Sequence, residues 1–321
     1  MKKYLVLLKR LLNILFFRRT WSIGYRFVNS ETFSFTEKRQ YSVIESNLRW
    51  WYADPFCIKK DDKYYIFCEM LDSFSGYGSI GVFEYSNGLL SRIRQVLKEP
   101  FHLSYPNVFF YKDNYYMIPE TAESNQIRLY KATEFPYKWE LDTVLLTGLK
   151  IVDSTILTVG SKKYLFTYDL TDKASKLRIY YFDIDNKKLQ KMDHNILIDI
   201  DKQMRSAGNF IYCDDNAIIR PSQYNKEHYG DKIVFNRVEK MPDKGYSETT
   251  VADISLSHIL TSSKRKFTRI HTINRDGDME VVDLFDIKLC LVKPFFLLIK
   301  MIRKLTTIIK SGAMNEENIT G

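Results

Sequence analysis

The stretch DPFCIKKDDKYYIFCE, residues 54–69, is an apolar run, a polar Lys-Asp turn and a second apolar run. That is the grammar of a β-hairpin. Three further segments align with it: YPNVFFYKDNYYMIPE (105–120), DSTILTVGSKKYLFTY (153–168) and GNFIYCDDNAIIRPSQ (208–223). Each is followed by one more strand-like run, SIGVFEY, QIRLYKA, KLRIYYFDI or KIVFNRV, and a shortened fifth copy, IHTINRDGDMEVVD, occupies 270–283. Repeats of about fifty residues, each with three or four strands, predict an all-β chain folded as a five-bladed β-propeller. The propeller is expected over 20–286. The run WSIGYRF (21–27) is expected as the outer strand closing the last blade, because closure removes exposed sheet edges.

The bulk composition agrees. With 45% apolar residues, Tyr and Phe far outnumbering Trp, and few Gly or Pro, the chain can bury a large β-rich core. Its four cysteines, Cys57, Cys68, Cys213 and Cys290, show neither a Cys-x-x-Cys pair nor a zinc spacing, and they are read as reduced, mostly buried thiols.

The net charge of +9 is uneven. Residues 1–19 carry six Lys or Arg and no acid, and so do residues 288–310, which leaves the middle close to neutral. A nucleic-acid binder would carry its basic patch on the folded domain, so no nucleic-acid partner is expected. Leu5, Leu8, Leu12 and Leu15 fall on one helical face, and Lys9 and Arg10 interrupt the run, so it is too short and charged to span a bilayer. Residues 1–19 and 287–310 are expected as short basic amphipathic helices on an anionic membrane surface, with 311–321 a disordered tail. Helices packed on the domain with solvated Lys and Arg are the alternative. Without a cleavable leader, the expected location is cytoplasmic, peripheral at the inner face of the cell membrane.

In a propeller the first strand of each blade lines the axis and the hairpin returns the chain to its starting end. Residues fifteen apart in each repeat should therefore share one mouth. An inner ring would hold Asp54, Tyr105, Asp153 and the Arg205–Gly208 region. A second tier would hold Glu69, Glu120, Tyr168 and Gln223, with His271 and Asp283 from the last blade. Carboxylates gathered at a shared mouth point to a polar-ligand site. Each has a plainer reading. Asp54 before Pro55 is a strand-start device, Asp153 caps turns, and Glu69 or Glu120 could pair structurally with Arg205 or Arg220. Tyr105 reads equally as sugar platform or core. Arg220 and Gln223 are polar residues inside a strand pattern and need partners. No Walker loop, Rossmann glycine pattern, nucleophile elbow or metal-binding His pair occurs, so no cofactor and no metal are expected.

Eight short motifs in order resemble one family. They are Tyr-Ala-Asp-Pro-Phe, His-Leu-Ser-Tyr-Pro, Tyr-Met-Ile-Pro-Glu-Thr, Phe135 to Trp139, Asp153-Ser-Thr, Ala-Gly-x-Phe, Arg-Pro-x-Gln and His-Thr-x-Asn. This is the domain at the N-terminus of glucosamine inositolphosphorylceramide transferases, which also occurs in bacterial proteins. The resemblance covers roughly residues 21–285, and the domain resembles in turn the five-bladed arabinanase, invertase and levansucrase propellers. It implies carbohydrate chemistry. Asp54 matches the blade-one general base of the arabinanase type, and Asp153 matches the blade-three Asp that tunes the acid and orients substrate. The general-acid Glu that opens blade four is replaced by Arg205-Ser206-Ala207-Gly208-Asn209. In the transferases, sugar transfer is attributed to a separate C-terminal domain.

The resulting expectation is a carbohydrate-active propeller of cell-surface glycan assembly, acting on a sugar or sugar-lipid substrate. Asp54, Asp153, Glu120 and Glu69 are the catalytic candidates, with Glu120 or Glu69 as proton donor. Tyr105, Arg205, Arg220, Gln223, His271 and Asp283 are the substrate-binding candidates, and Asp54 is expected to serve a ligand rather than the fold. The alternative is a non-catalytic glycan-binding or scaffold propeller that assists a separate glycosyltransferase partner.

Overall fold

Residues Tyr64–Cys68 are buried on both faces of their strand, Lys63–Asp72. Alternation then sends Tyr64, Ile66, Cys68 and Met70 to one side and Tyr65 and Phe67 to the other. Tyr164 and Phe166 likewise face away from Leu165. A strand buried on both faces needs a sheet on either side, and the chain supplies five sheets around one axis. The computed structural model describes residues 2–28, 35, 37–171, 176–192, 197–198, 205–299 and 301–302.

Blade one runs through Trp50–Lys60, Lys63–Asp72 and Gly78–Ser86, with Leu89–Leu90 and Arg94–Leu97 both pairing on its outer strand. Blades two and three are four-stranded meanders, from Ser104 to Thr147 and from Ile151 to Lys191. In blade four, Ile211–Tyr212, Ile218–Tyr224, Lys232–Lys240 and Ser247–Ile254 follow in order, and Leu197–Ile198 adds in parallel at the edge. The apolar core is not central. It is five wedges, one between each pair of neighbouring blades. Burying each Phe or Ile of a wedge contributes about 1.5–3 kcal/mol.

Blade five is made from both ends of the chain. Phe17–Phe27 pairs along all of its length with Met279–Leu289, next to the inner strand Ile273–Asp276. WSIGYRF is therefore the third strand and not the outer one. Arg39–Ile44 pairs outside it, and Ile259–Thr261 adds in parallel beyond that. The closure carries a buried charge cluster: Glu280 accepts from Arg26 Nε at 2.6 Å, Arg39 Nη1 at 3.0 Å and Tyr41 Oη at 2.6 Å.

Helix α1, Lys2–Phe16, stops where this strand begins, at Phe17 rather than at residue 20. A second helix covers 293–299. Cys290 N–H donates to Phe16 O at 2.6 Å, and the Phe74 and Phe296 rings lie 4.6 Å apart, so both terminal segments sit together on one end of the propeller. The expected tail, 311–321, and residues 303–310 lie outside the described residues. No described helix is long and apolar enough to cross a membrane. Cys57, Cys68 and Cys290 are buried free thiols, and Cys213 is half-buried.

Candidate active site

The aligned repeat positions share one backbone device. In blades one to three the inner-strand ladder slips between Ala53 and Phe56, Ser104 and Asn107, and Val152 and Thr155. Each slip is a bulge whose residue adopts positive φ: Asp54 at 49°, Tyr105 at 45° and Asp153 at 50°. A bulge re-aims a side chain off the sheet face, here toward the axis. Aspartate tolerates this backbone well, whereas for tyrosine it is uncommon and strained. Tyr105 is held there by its hydroxyl, 2.8 Å from Thr155 Oγ1 and accepting from Gly208 N–H at 2.8 Å. Blade four uses Gly208 at φ 134°, where a Cβ would meet Ile273 O at 1.9 Å. Asparagines tie the inner strands together: Asn274 Nδ2 donates to Pro55 O at 2.8 Å, Asn209 N–H to Asn274 Oδ1 at 2.7 Å, and Asn107 Nδ2 to Asn209 Oδ1 at 2.7 Å.

The closed ring brings Asp54, Glu69, Glu120, Asp153, Arg205 and His271 into the wall of one pocket of about 250 Å³. That is below the roughly 300–1,000 Å³ of drug-sized sites and suits a single sugar ring. Asp54 is almost fully buried and engaged on both oxygens. Oδ1 lies 2.9 Å from His271 Nε2 and accepts from Thr272 Oγ1 at 2.9 Å, and Oδ2 accepts from Tyr105 N–H at 3.3 Å. Burial disfavours its charge, but His271 and Thr272 outweigh that and hold the carboxyl below its usual range. His271 Nδ1 lies 2.8 Å from Asp283 Oδ2, an ion pair without hydrogen-bond alignment. Burial works against the imidazolium, yet Asp283 and Asp54 on either side lift it to about 10. The ligand atoms of these three residues lie within 4.8 Å of one another. The two ring nitrogens face opposite carboxylates, so the trio is closed around a protonated imidazole, which is not the donor set of a cation site.

Asp153 accepts from Arg205 Nε at 2.5 Å and from Gln223 Nε2 at 3.1 Å. Burial still leaves its carboxyl above the usual range. Arg205, from the start of blade four, thus grips the blade-three Asp. Glu69 faces His102 Nε2 at 3.2 Å, while His102 Nδ1 accepts from Gly78 N–H at 3.0 Å. Burial pushes Glu69 up. Burial opposes the His102 charge, and Glu69 more than reverses this, to about 9. The Gly78 N–H needs Nδ1 as an acceptor, so that contact favours the neutral ring and works against the rise. Glu120 differs from the other three acids. Burial, then the charges of Asp153 and Asp54, push it up to about 8, with no hydrogen bond to its carboxyl among the described residues.

Four expected contact residues lie beneath the pocket and do not line it. Tyr105 is fully buried as the axis strut. Gln223 fixes Asp153 and Ser206 O. Asp283 accepts from the His271 and Thr272 N–H groups at 2.9 and 3.0 Å. Arg220 belongs to the fold: wholly buried, it gives Nε to Glu248 Oε2 at 2.7 Å and Nη2 to Oε1 at 2.5 Å, with Tyr246 Oη on the same carboxylate. Tyr168 is absent from the wall. The sequence reading missed Trp21, Trp51, His102 and Tyr229, which do line it. Trp21 and Tyr229 pack on His271 with ring centroids 4.3 and 4.8 Å away. Trp21 was legible only as part of a closing strand, and nothing in the repeat marks Tyr229, because neither belongs to it.

The fold is a five-bladed β-propeller with an acid-lined axial pocket. The structure is similar to a thermostable family-43 glycoside hydrolase, with TM-score 0.54 and 13% identity over 74% of this chain and 89% of that one. It is also similar to an α-L-arabinofuranosidase of Podospora anserina, with TM-score 0.54 and 10% identity over 73% and 90%. At these identities the likeness concerns the fold. Residues 39–285 match the family described as glucosamine inositolphosphorylceramide transferase 1, N-terminal, and the chain belongs to that family. Glucosamine inositolphosphorylceramide transferase 1 of Oryza sativa subsp. japonica is 30% identical over 206 residues, 62% of this chain and 28% of its own length. The protein of that name in Arabidopsis thaliana is 30% identical over 208 residues, 62% and 27%. The chain thus spans under a third of the curated relatives it matches.

Proposed function

We propose that this propeller is a carbohydrate-active protein of cell-surface glycan assembly that performs acid–base chemistry on a sugar in the axial pocket. The observation that carries the reading is the split between two carboxyls in one wall: Asp54 is held ionised and Glu120 is pushed up to about 8. Carboxyls driven apart in this way divide the roles of base and acid. Asp54 accepts a hydroxyl proton or steadies positive charge at the sugar, Glu120 donates a proton, and Arg205 orients Asp153. Trp21, Trp51 and Tyr229 supply apolar walls for a sugar face. The family's transferase name supports a glycan substrate.

The protein acts at the inner face of the membrane, beside a separate glycosyltransferase. This rests on the joined basic ends and on the exposure of Tyr4, Leu7, Ile14, Leu291, Phe295 and Leu298 on them. One observation favours a second reading, a glycan-binding scaffold: Asp54 and Asp153 are both tied into ion pairs, with His271 and Arg205. Titrating soluble oligosaccharides into wild type and Glu120→Gln, with product analysis, decides. Turnover lost in the variant while sugar still binds supports catalysis. Binding by both proteins without any product from wild type establishes the scaffold.

A further inference from the structure

Beside the acidic pocket lies a larger cleft, of about 640 Å³, that the acid–base reading does not use. The two share Trp51 and Leu71 as a common wall. Their chemistry is opposite. Among the described residues no Asp or Glu lines the cleft, and four cations do: Arg10, Arg18, Arg19 and Lys293. Between them lie Ile14, Phe17 and Phe296, from α1, the strand after it and helix 293–299.

Arg18 is the most telling of the four. It is buried, and among the described residues its guanidinium donates only to neutral partners: Asn47 O and Leu48 O, each at 2.7 Å, and the Ser73 hydroxyl. The nearby carboxylate, Asp286, is bound by Thr20 and lies 3.6 Å from Arg265. Burial is costly for this cation and pulls its pKa down, and the charge of Asp286 offsets that only in part. Arg10 and Arg19 are exposed at the rim and form no ion pair among the described residues. The cleft is thus built for an anion with an apolar extension, and its rim continues into the exposed apolar residues of both terminal segments.

We propose that the cleft is the phosphate-and-tail subsite for a lipid-linked sugar, whose sugar passes Trp51 and Leu71 into the acidic pocket. This rests on the carbohydrate reading of that pocket and names its substrate class. Guanidinium groups bind phosphate oxygens with paired, charge-assisted hydrogen bonds. Ile14, Phe17 and Phe296 receive the first part of the lipid tail where it leaves the membrane. A free sugar phosphate would leave that apolar wall wet, so the source is a lipid.

The test uses the full chain and phosphatidylcholine vesicles of equal surface charge, made anionic either with a polyprenyl monophosphate or with oleate. Wild type should prefer the phosphate vesicles by roughly tenfold, as expected for a specific charge-assisted contact added to surface attraction. The double variant Arg10→Gln/Arg19→Gln should lose the preference while keeping an unchanged thermal midpoint. Asn13→Trp, which fills the cleft without altering charge, should lose it too. Equal binding of wild type to both vesicles overturns the subsite, and so does a preference that survives in both variants. Inorganic phosphate that binds as tightly as the lipid overturns the lipid source. Loss of phosphate preference with an intact oligosaccharide response defeats this inference alone, whereas loss of the oligosaccharide response with the preference intact defeats the sugar reading.

Discussion

Arg205 of blade four reaches across the blade boundary and gives its Nε to Asp153 Oδ2 of blade three, 2.5 Å away. Its charge also lowers the pKa of Glu120 against the effect of burial. One guanidinium therefore sets the protonation of two acids in the pocket. Arg205→Leu should raise both carboxyls further and move the basic limb of any pH–activity profile above its wild-type position near 8. A profile that stays in place would remove Arg205 from this role.

Glu120 carries a folded-state pKa of about 8, above the roughly 4.3 of an unfolded Glu. A raised carboxyl makes the folded state progressively less stable as pH rises from about 4.3 to about 8, since the unfolded chain releases its proton first. Glu120→Gln removes that cost. At pH 8 it should be more stable than wild type, with the difference fading toward pH 4. Urea midpoints across this range measure it.

Asp54 lines the pocket and also pairs with the buried His271, so its charge bears on the fold as well. Asp54→Asn breaks a buried pair with His271, a class of change that costs about 3–5 kcal/mol, but Asp283 still faces the imidazole and brings the expected loss to the low end. The pH signature is specific. His271, raised to about 10, contributes stability that is complete below about 6.5 and is lost as pH rises through about 10. Asp54, held low, contributes stability present above about 3.9 and lost as pH falls through its depressed folded value. The variant should lose the acid-side term and show a shallower alkaline decline. Thermal midpoints from pH 3 to 10 would expose either failure.

Arg220→Met separates fold from site. It leaves Glu248 buried without its cation and should cost about 3–5 kcal/mol by chemical denaturation. Sugar response measured well below the melting range should be unchanged, because Arg220 lies outside the pocket wall.

Membrane binding requires new boundaries for its test. Phe17–Phe27 and Met279–Leu289 are paired strands of the closing blade, so a cut at residue 19 or 287 would damage the propeller. Deleting 1–16 and 291–321 keeps that pairing. The shortened protein should stay folded and leave anionic vesicles, since each Lys or Arg near such a surface contributes about 1 kcal/mol. Co-sedimentation of the shortened form with the vesicles would refute the association.

Periodicity made the five blades legible, because a strand buried on both faces can be read from local alternation and the hairpin recurs at fixed spacing. It also marked Asp54, Tyr105 and Asp153 as equivalent, and they share one bulge. Partnership was not legible. Arg205 and Arg220 are both arginines of blade four, the first ahead of its strands and the second inside one. Glu248, 28 residues on, makes Arg220 structural, and Asp153, 52 residues back, makes Arg205 part of the site. Nor could spacing place Trp21 and Tyr229 in the pocket wall, or the two terminal segments together at the neighbouring cleft. Alternation is a property of neighbouring residues, whereas which charge meets which, and what covers the axis, depends on contacts between distant strands that exist only once the ring has closed.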